Sequence, residues 1–508
     1  MEGIRKISGA LVSVYSKEGL EPIIRKLDAL GVAIYSTGGT YDFIQNLGIK
    51  AITVESLTSY PAIFGGRVKT LHPKIFGGIL YRRDNSDDMS QADEFQIPPI
   101  DLVIVDLYPF EKTLEATDNE SEIIEKIDIG GISLIRAAAK NFESVAIVPS
   151  VGQYSYLLQL LDNQGAGTSR EQRRYLAAQA FHVSSHYDTA IFNYFNRQAD
   201  LPVFKQSIQE SRSLRYGENP HQKGTFFGDL NSMFTQLHGK EISYNNLLDL
   251  DAAVSLIDEF TEPTFAILKH NNACGVATRD NLLQAWIDAL AGDPVSAYGG
   301  VLVCNRIVDE ATAAEVNKLF FEIILAPGYE NNSLQILGSK KNRIILQRNV
   351  TLLPNKQFRT ILNGVAMQER DLKTEAMADL HVVTTEIPSK NIADDMLFAN
   401  IIVKHTKSNA IVLAKNKQLL GSGTGQTSRV DAVRHAIEKA GAYGFDLQGA
   451  VMASDAFFPF ADSVQVAHDA GITAVIQPGG SVRDQETVDY CNASGMVMVV
   501  TGTRHFKH

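Results

Sequence analysis

The feature that most constrains this chain is the repeated switch, between Leu11 and Gln198, from short apolar runs to stretches with helical periodicity. Leu11-Val12-Ser13-Val14 is apolar and too short for a helix. Behind it Leu20, Ile23, Ile24, Leu27 and Leu30 recur at the spacing of one helical face. Val32-Ala33-Ile34-Tyr35, Asp101-Leu102-Val103-Ile104-Val105 and Ser144-Val145-Ala146-Ile147-Val148 are further runs of the first kind. Apolar runs without alternation mark strands covered on both faces, hence a parallel sheet between helices. The expected unit is a doubly wound α/β domain. A helical stretch from about Ser169 to Gln198 closes it, with a boundary at Asp200-Leu201-Pro202.

The remainder hints at a duplication. Lys269-His270 precedes Asn272-Ala273, and Lys404-His405 precedes Asn409-Ala410. Each pair ends an apolar, strand-like run, and two similar α/β subdomains would account for this. A length of 508 residues allows roughly three domains or subdomains. The formal net charge of −11 argues against a nucleic-acid coat, which needs clustered Lys and Arg. No apolar run approaches the ~18 residues of a membrane span. The opening residues, Met1 to Lys6, lack the apolar core of an export signal. The three cysteines, Cys274, Cys304 and Cys491, are scattered and odd in number. That fits a reduced cytoplasmic protein without a disulfide framework.

Several stretches could carry chemistry. Ser36-Thr37-Gly38-Gly39-Thr40 joins a strand to a helix. Its free amides and helix dipole favour a phosphate, although a capped tight turn reads the same way. In Gly65-Gly66-Arg67-Val68-Lys69-Thr70-Leu71-His72-Pro73, an extended backbone would put Arg67 and Lys69 on one side, able to grip an anion; the alternative is a solvated basic loop. Asp128-Ile129-Gly130-Gly131 opens an Ala-rich helix on which Lys140 reads, from physics alone, as a surface lysine. Lys269-His270 follows the apolar run Phe265 to Leu268 and could pair a base with an oxyanion stabiliser, or be a strand-end histidine bonded to backbone. Cys274 raises zinc-deaminase chemistry, but the His-x-Glu and Pro-Cys-x-x-Cys spacings are absent. Ser454 to Phe460 packs three Phe around Pro459, as core or as the wall of a heterocycle pocket. Gly421-Ser422-Gly423-Thr424-Gly425 reads as a Gly-rich entry to a helix, and Ser481 to Asp484 as a helix cap.

Taken together and in order, these stretches resemble one family, the bifunctional phosphoribosylaminoimidazolecarboxamide (AICAR) formyltransferase and inosinate (IMP) cyclohydrolase. Leu107-Tyr108-Pro109-Phe110, Leu214 to Gln222, Ser243 to Asn246, Ser408-Asn409-Ala410 and Arg504-His505-Phe506 extend the match over nearly the whole chain. The resemblance implies an N-terminal methylglyoxal-synthase-like cyclohydrolase domain over 1–199. Two cytidine-deaminase-like subdomains over 200–508 would form the transferase. It implies a homodimer acting on AICAR, formyl-AICAR and IMP, with 10-formyltetrahydrofolate as co-substrate and no catalytic metal, nucleic acid or membrane.

By the same resemblance the cyclohydrolase nucleotide site uses Lys17, Ser36, Thr37, Gly38, Gly39, Arg67, Val68, Lys69, Thr70, Asp106, Asp128 and Ile129. Lys140 is its proton-transfer residue, and Tyr108 orients or polarises the reacting amide. The transferase site uses Lys269, His270 and Asn409 for chemistry, with Arg215, Tyr216, Asn245, Gly299, Glu322, Arg429, Phe457 and Arg504 on AICAR. Val430, Asp462, Gly479 and Gly480 face the folate. Tyr15, Ser16, Asp106, Asn271 and Ala273 depart from the family's usual residues, and these put ligand contacts, rather than the activity, in question.

Overall fold

A computed structural model describes residues 4–508; the first part of the reading of Met1 to Lys6 lies outside them. The chain forms two compact units, one ending at Gln209 and the other beginning at Glu210.

The first unit is built on five strands: β1 (Gly9–Ser13), β2 (Ala33–Ser36), β3 (Ile52–Thr53), β4 (Leu102–Val105) and β5 (Ala146–Val148). Their order is β3-β2-β1-β4-β5 and every pairing is parallel. The apolar runs thus lie where the sequence predicts, and β4 and β5 are buried at every position. Helix α1 (Leu20–Ala29) turns Leu20, Ile23, Ile24 and Leu27 into the core. Helix α2 (Gly38–Asn46) follows β2, and α3 (Gly130–Lys140) precedes β5. Helix α4 (Arg170–Ala199) starts with a capping box: Ser169 N donates to Gln172 Oε1 at 2.7 Å and Gln172 N to Ser169 Oγ at 3.3 Å. Chain order reverses between β1 and β4, which opens a crevice at the strands' carboxyl ends, the usual ligand position in such sheets.

The second unit is organised by one twelve-stranded sheet. Its strands are β6 (Phe234–His238), β7 (Thr264–Lys269), β8 (Asn272–Thr278), β9 (Val301–Cys304), β10 (Ile323–Ala326), β11 (Ile344–Arg348), β12 (His381–Val382), β13 (Ile411–Lys415), β14 (Gln418–Gly423), β15 (Val451–Ser454), β16 (Ala474–Gln477) and β17 (Val497–Val500). The order is β6-β11-β10-β9-β7-β8-β14-β13-β15-β16-β17-β12. This is a duplication. Helix α5 (Tyr244–Ile257), the hairpin β7–β8, helix α6 (Leu282–Gly292) and the parallel set β9–β11 are repeated as α7 (Lys390–Lys404), β13–β14, α8 (Arg429–Ala442) and β15–β17. The halves join where β8 meets β14.

Two details of the sequence reading are corrected. The Lys-His pairs do not correspond. Lys269 ends strand β7, whereas Lys404 ends helix α7. The counterpart of the His270-Asn271 turn is Asn416-Lys417; all four residues have positive φ and each pair closes a two-residue hairpin. Gly421 and Gly423 belong to β14 rather than to a helix entry. A Cβ on them would lie 2.3 and 1.9 Å from the carbonyl oxygens of Ala436 and Ala432 in α8. Gly275 of β8 meets Ala289 O of α6 in the same way, at 2.0 Å. These glycines let a helix lie directly on its strand.

Candidate functional site

At the carboxyl edge of the first sheet, the segment after β1 is folded on itself. Lys17 Nζ donates to the carbonyls of Val14 at 2.5 Å and Tyr15 at 3.1 Å. The Asp106 carboxylate, just past β4, accepts from the amides of Tyr15 and of Ser16, the latter at 2.9 Å. Asp106 therefore ties the crevice's two walls together. Burial pushes its carboxyl up from the ordinary range, against the pull of those amides and Lys17. Burial lowers the Lys17 ammonium, with Asp106 opposing and Lys69 adding to the shift.

The two Gly-rich helix starts differ. At α2 the N-cap Thr37 makes no capping bond; its hydroxyl donates to Glu55 Oε1 at 3.1 Å. Ser36 and Thr40 hydroxyls donate to the carbonyls of Val12 and Val14. The backbone from Ser36 to Gly39 is thus the part left to face an anion, and Lys69 Nζ lies 3.8 Å from where a Cβ on Gly38 would be. At α3 the start is already occupied, since Asp128 Oδ1 accepts from Gly131 N at 2.6 Å and Ile132 N at 3.4 Å. Thr70 Oγ1 lies against Gly130, 3.1 Å from a Cβ position there. Ile129 and Tyr108 are exposed at this edge, and the Tyr108 ring meets Tyr15 edge-on at 5.6 Å. Val68 N donates to Ile63 O at 3.4 Å, closing the basic loop. Arg67 is not extended: it has helical dihedrals and pairs with Glu125, while Lys69 turns to α2. The two cations diverge instead of sharing one side.

Lys140 is not brought to this edge. Helix α3 runs from the carboxyl edge, beside Thr70, toward the amino edge, where β5 begins. Ten residues of helix separate Gly130 from Lys140, about 15 Å of axial rise. At its far end Asn141 Nδ2 donates to Ile79 O at 2.7 Å, well away from the crevice. Lys140 itself is exposed.

In the second unit, strand directions collect the expected residues. Strand β7 runs antiparallel to β8 and β9, β14 to β8 and β13, and β15 to β13. The carboxyl ends of β7, β14 and β15–β17 therefore lie on the same edge as the amino ends of β9, β10 and β13. Onto that edge fall Lys269 at the end of β7 and His270 after it, Gly299 before β9, Glu322 before β10 and Asn409 before β13. Asp455 and Phe457 follow β15, Gly479 and Gly480 follow β16, and Arg504 follows β17.

The contacts are specific. Lys269 Nζ donates to Tyr298 O at 2.8 Å, and Glu322 pairs with Lys240 at 2.6 Å. Asn272 links the halves: its Nδ2 donates to His270 O at 2.8 Å and its Oδ1 accepts from Lys407 N at 3.1 Å. Asn409 Nδ2 donates to Gln426 O at 2.9 Å, and its Oδ1 accepts from Arg429 Nη2 at 2.9 Å. Arg429 is buried and also bonded to Asp455 and Ser454, so it holds Asn409 in place. Val430 follows it in the first turn of α8. Lys269, His270 and Gln426 line a cavity of about 620 Å³ between the halves. Arg215 lies over the Tyr216 ring at 5.2 Å, and Asn245 holds Glu218 O at 3.2 Å, fixing that loop to the start of α5. Asp462 opens the helix after Phe460, and Asp484 accepts from the Gly480 and Ser481 amides at 2.6 and 3.0 Å. The helix there begins at Asp484, with Arg483 at its N-cap and no side-chain capping bond, so the reading of Ser481 to Asp484 as a helix cap is corrected. Sequence reasoning passed over Asn272, Asp249 and Asp455. Asp249 accepts from Asn271 N at 2.7 Å and so holds the His270 turn. The signal for Asp455 was there in Ser454 to Phe460, read only for its rings. Among the described residues no three His, Cys, Asp or Glu side chains converge as a metal site.

The chain thus joins a parallel α/β unit with an anion-ready crevice to a duplicated α/β unit with polar side chains gathered on one sheet edge, an arrangement of the enzyme class that binds ligands at the ends of its strands. Residues 138–439 match the family model described as AICARFT/IMPCHase bienzyme, and residues 19–133 match an MGS-like domain. The bifunctional purine biosynthesis protein PurH of Bacteroides thetaiotaomicron is 62% identical over 508 residues, covering 100% of both chains. The protein of that name from Acetivibrio thermocellus is 45% identical, covering 99% of this chain and 100% of its own. The chain belongs to the AICARFT/IMPCHase bienzyme family and is a bifunctional AICAR formyltransferase and IMP cyclohydrolase.

Proposed function

We propose that the two activities divide between the two units, the cyclohydrolase in the first and the formyltransferase in the second. The formyl donor is 10-formyltetrahydrofolate, and the chain acts as a cytoplasmic homodimer. Convergence of the expected transferase residues on one edge of the twelve-stranded sheet supports this reading most. The AICAR amine is a poor nucleophile, because its lone pair is delocalised into the ring and carboxamide. It needs placement and a base. His270 takes its proton as the carbon–nitrogen bond forms. Lys269 and Asn409 stabilise the oxyanion of the tetrahedral intermediate, whose collapse releases tetrahydrofolate. Arg215, Tyr216, Asn245, Gly299, Glu322, Phe457 and Arg504 hold the nucleotide, and Val430, Asp462, Gly479 and Gly480 the folate.

In the first unit the α2 amides with Lys69 take the nucleotide phosphate, and Arg67 joins them only on leaving Glu125. Lys17, Asp106, Asp128 and Ile129 frame the base, and Tyr108 polarises the amide. The carboxamide nitrogen then adds to the formyl carbon and water leaves. Since α3 carries Lys140 away from its own crevice, the proton-transfer lysine is supplied by a second copy of the chain. The assignment is tested with His270→Ala: formyl transfer is expected to fall about a hundred-fold or more while formyl-AICAR is still cyclised. Equal loss of both steps would contradict the division.

A further inference from the structure

The last residues of the chain form a buried charge cluster that the chemistry above does not use. His505 and Glu375 have side chains only 2% exposed, and the imidazole lies between two carboxylates. Its Nδ1 is 2.6 Å from Asp371 Oδ2 and its Nε2 is 3.1 Å from Glu375 Oε2. Glu375 is held in turn by Asn400 Nδ2 at 2.8 Å. The segment alternates: His505 faces in, while Arg504 and Phe506 face out with the guanidinium 4.4 Å from the Phe506 ring centroid. Its backbone is bonded on to the site. His505 N donates to Asp455 O at 3.0 Å, Ser408 N to Lys507 O at 2.9 Å, and Lys507 N to Ser408 Oγ at 3.1 Å. Ser408 precedes Asn409, and Asp455 holds Arg429.

We propose that His505 is a positioning residue of the transferase site: clamped by Asp371 and Glu375, it seats the C-terminal segment so that Arg504 and the Ser408-Asn409 backbone are correctly placed. This rests on the assignment of the transferase to the second unit. Two carboxylates, one fully buried, need a cation between them, since an unpaired buried charge is strongly destabilising. Burial alone would lower the imidazole, but the hydrogen bonds to Asp371 and Glu375 win and raise it to about 9. Of the other charges nearby, Lys404 from α7 pairs with Glu259 at 3.0 Å and adds its field at Asp371. Lys507, on the same segment, is lowered by burial, and Asp455 is engaged by Arg429 and Ser408. An ordinary histidine titrates near 6.5. The clamp is therefore fully present below about pH 6.5 and is lost as pH rises through about 9.

The test is the pH profile of formyl transfer in the full-length protein, with cyclisation of formyl-AICAR measured on the same samples. Wild type is expected to lose transferase kcat/KM as pH passes about 9. Asp371→Asn, normal near pH 7, should lose it at distinctly lower pH, because one of the two clamping anions is gone. His505→Gln should raise KM for AICAR and cut kcat/KM about a hundred-fold at neutral pH, leaving cyclisation intact. If His505→Gln fails to fold, the Asp371→Asn profile decides alone. Superimposable wild-type and Asp371→Asn profiles, or a folded His505→Gln with normal KM, overturn the proposal. Absence of formyl transfer by wild type would overturn the transferase assignment itself.

Discussion

His270 occupies a backbone region that residues other than glycine adopt reluctantly: φ is 51° there and 65° at Asn271. Both central positions of a two-residue hairpin need positive φ, and Asn-Gly is the usual answer. A histidine in that place costs about 1–2 kcal/mol, and the Asp249 and Asn272 bonds hold it there. The counterpart turn Asn416-Lys417 has the same positive φ, so the conformation belongs to the hairpin, and what distinguishes the first turn is the histidine placed in it. The Lys-His dipeptide was legible in the sequence; its false twin, Lys404-His405, was not recognisable as false, because a helix end and a strand end both close apolar runs. His405 is buried against Glu259, and burial lowers its imidazole despite that partner. His405→Ala should therefore cost stability, whereas Asn416→Gly, at the true counterpart of the turn and compatible with its φ of 52°, should spare both stability and formyl transfer; kinetics beside His270→Ala check this. Arg429→Ala would leave the buried Asp455 without its cation. A loss of about 3–5 kcal/mol is expected in denaturant unfolding, if the second unit's transition can be followed separately. A change below about 1 kcal/mol would show that the pair does not hold the edge together.

Helix starts and directions carry what single residues do not. Two Gly-rich starts looked alike in sequence, yet α2 offers its amides and α3 has Asp128 on them. The sequence cannot show which carboxylate or hydroxyl folds back onto a helix end, since that depends on loop geometry. It also cannot show that Arg67 and Lys69 part, because a helical dihedral at Arg67 undoes the alternation of an extended strand. With Lys69 turned to α2, Lys69→Ala should weaken cyclohydrolase substrate binding by about 1.5–3 kcal/mol, roughly ten-fold to over a hundred-fold. Arg67→Ala should do less in proportion as its Glu125 pairing survives in the bound state. The direction of α3 makes a sharper prediction. Lys69→Ala and Lys140→Ala chains should each be poor cyclohydrolases as homodimers. Mixed dimers, purified through two different tags, should regain activity at the one site that has both lysines. Mixed dimers no more active than either parent would place Lys140 in its own chain's site or remove it from the reaction.

At the scale of the whole molecule, the apolar runs of the first unit were legible because a parallel sheet buries its strands on both faces. The duplication was legible only in outline. Its register depends on pairing between strands far apart in sequence, and only the completed sheet shows that β7, β9, β10 and β13–β17 present their site residues on one edge. The unit boundary, read near Leu201, falls at Gln209 because the segment past α4 stays with the first unit: His186 Nδ1 meets Ser207 Oγ at 2.9 Å. Residues 1–209, rather than 1–199, should thus give a folded chain that cyclises formyl-AICAR and transfers no formyl group. The central claim is that one chain performs both steps in succession at separate centres. The most direct measurement supplies the purified full-length protein with AICAR and 10-formyltetrahydrofolate and quantifies the nucleotides over time. Wild type is expected to yield IMP, while His270→Ala forms it from AICAR at least about a hundred-fold more slowly, yet converts added formyl-AICAR to IMP at the wild-type rate. A wild-type chain that consumes no AICAR, or a His270→Ala chain that has lost cyclisation too, would contradict the account.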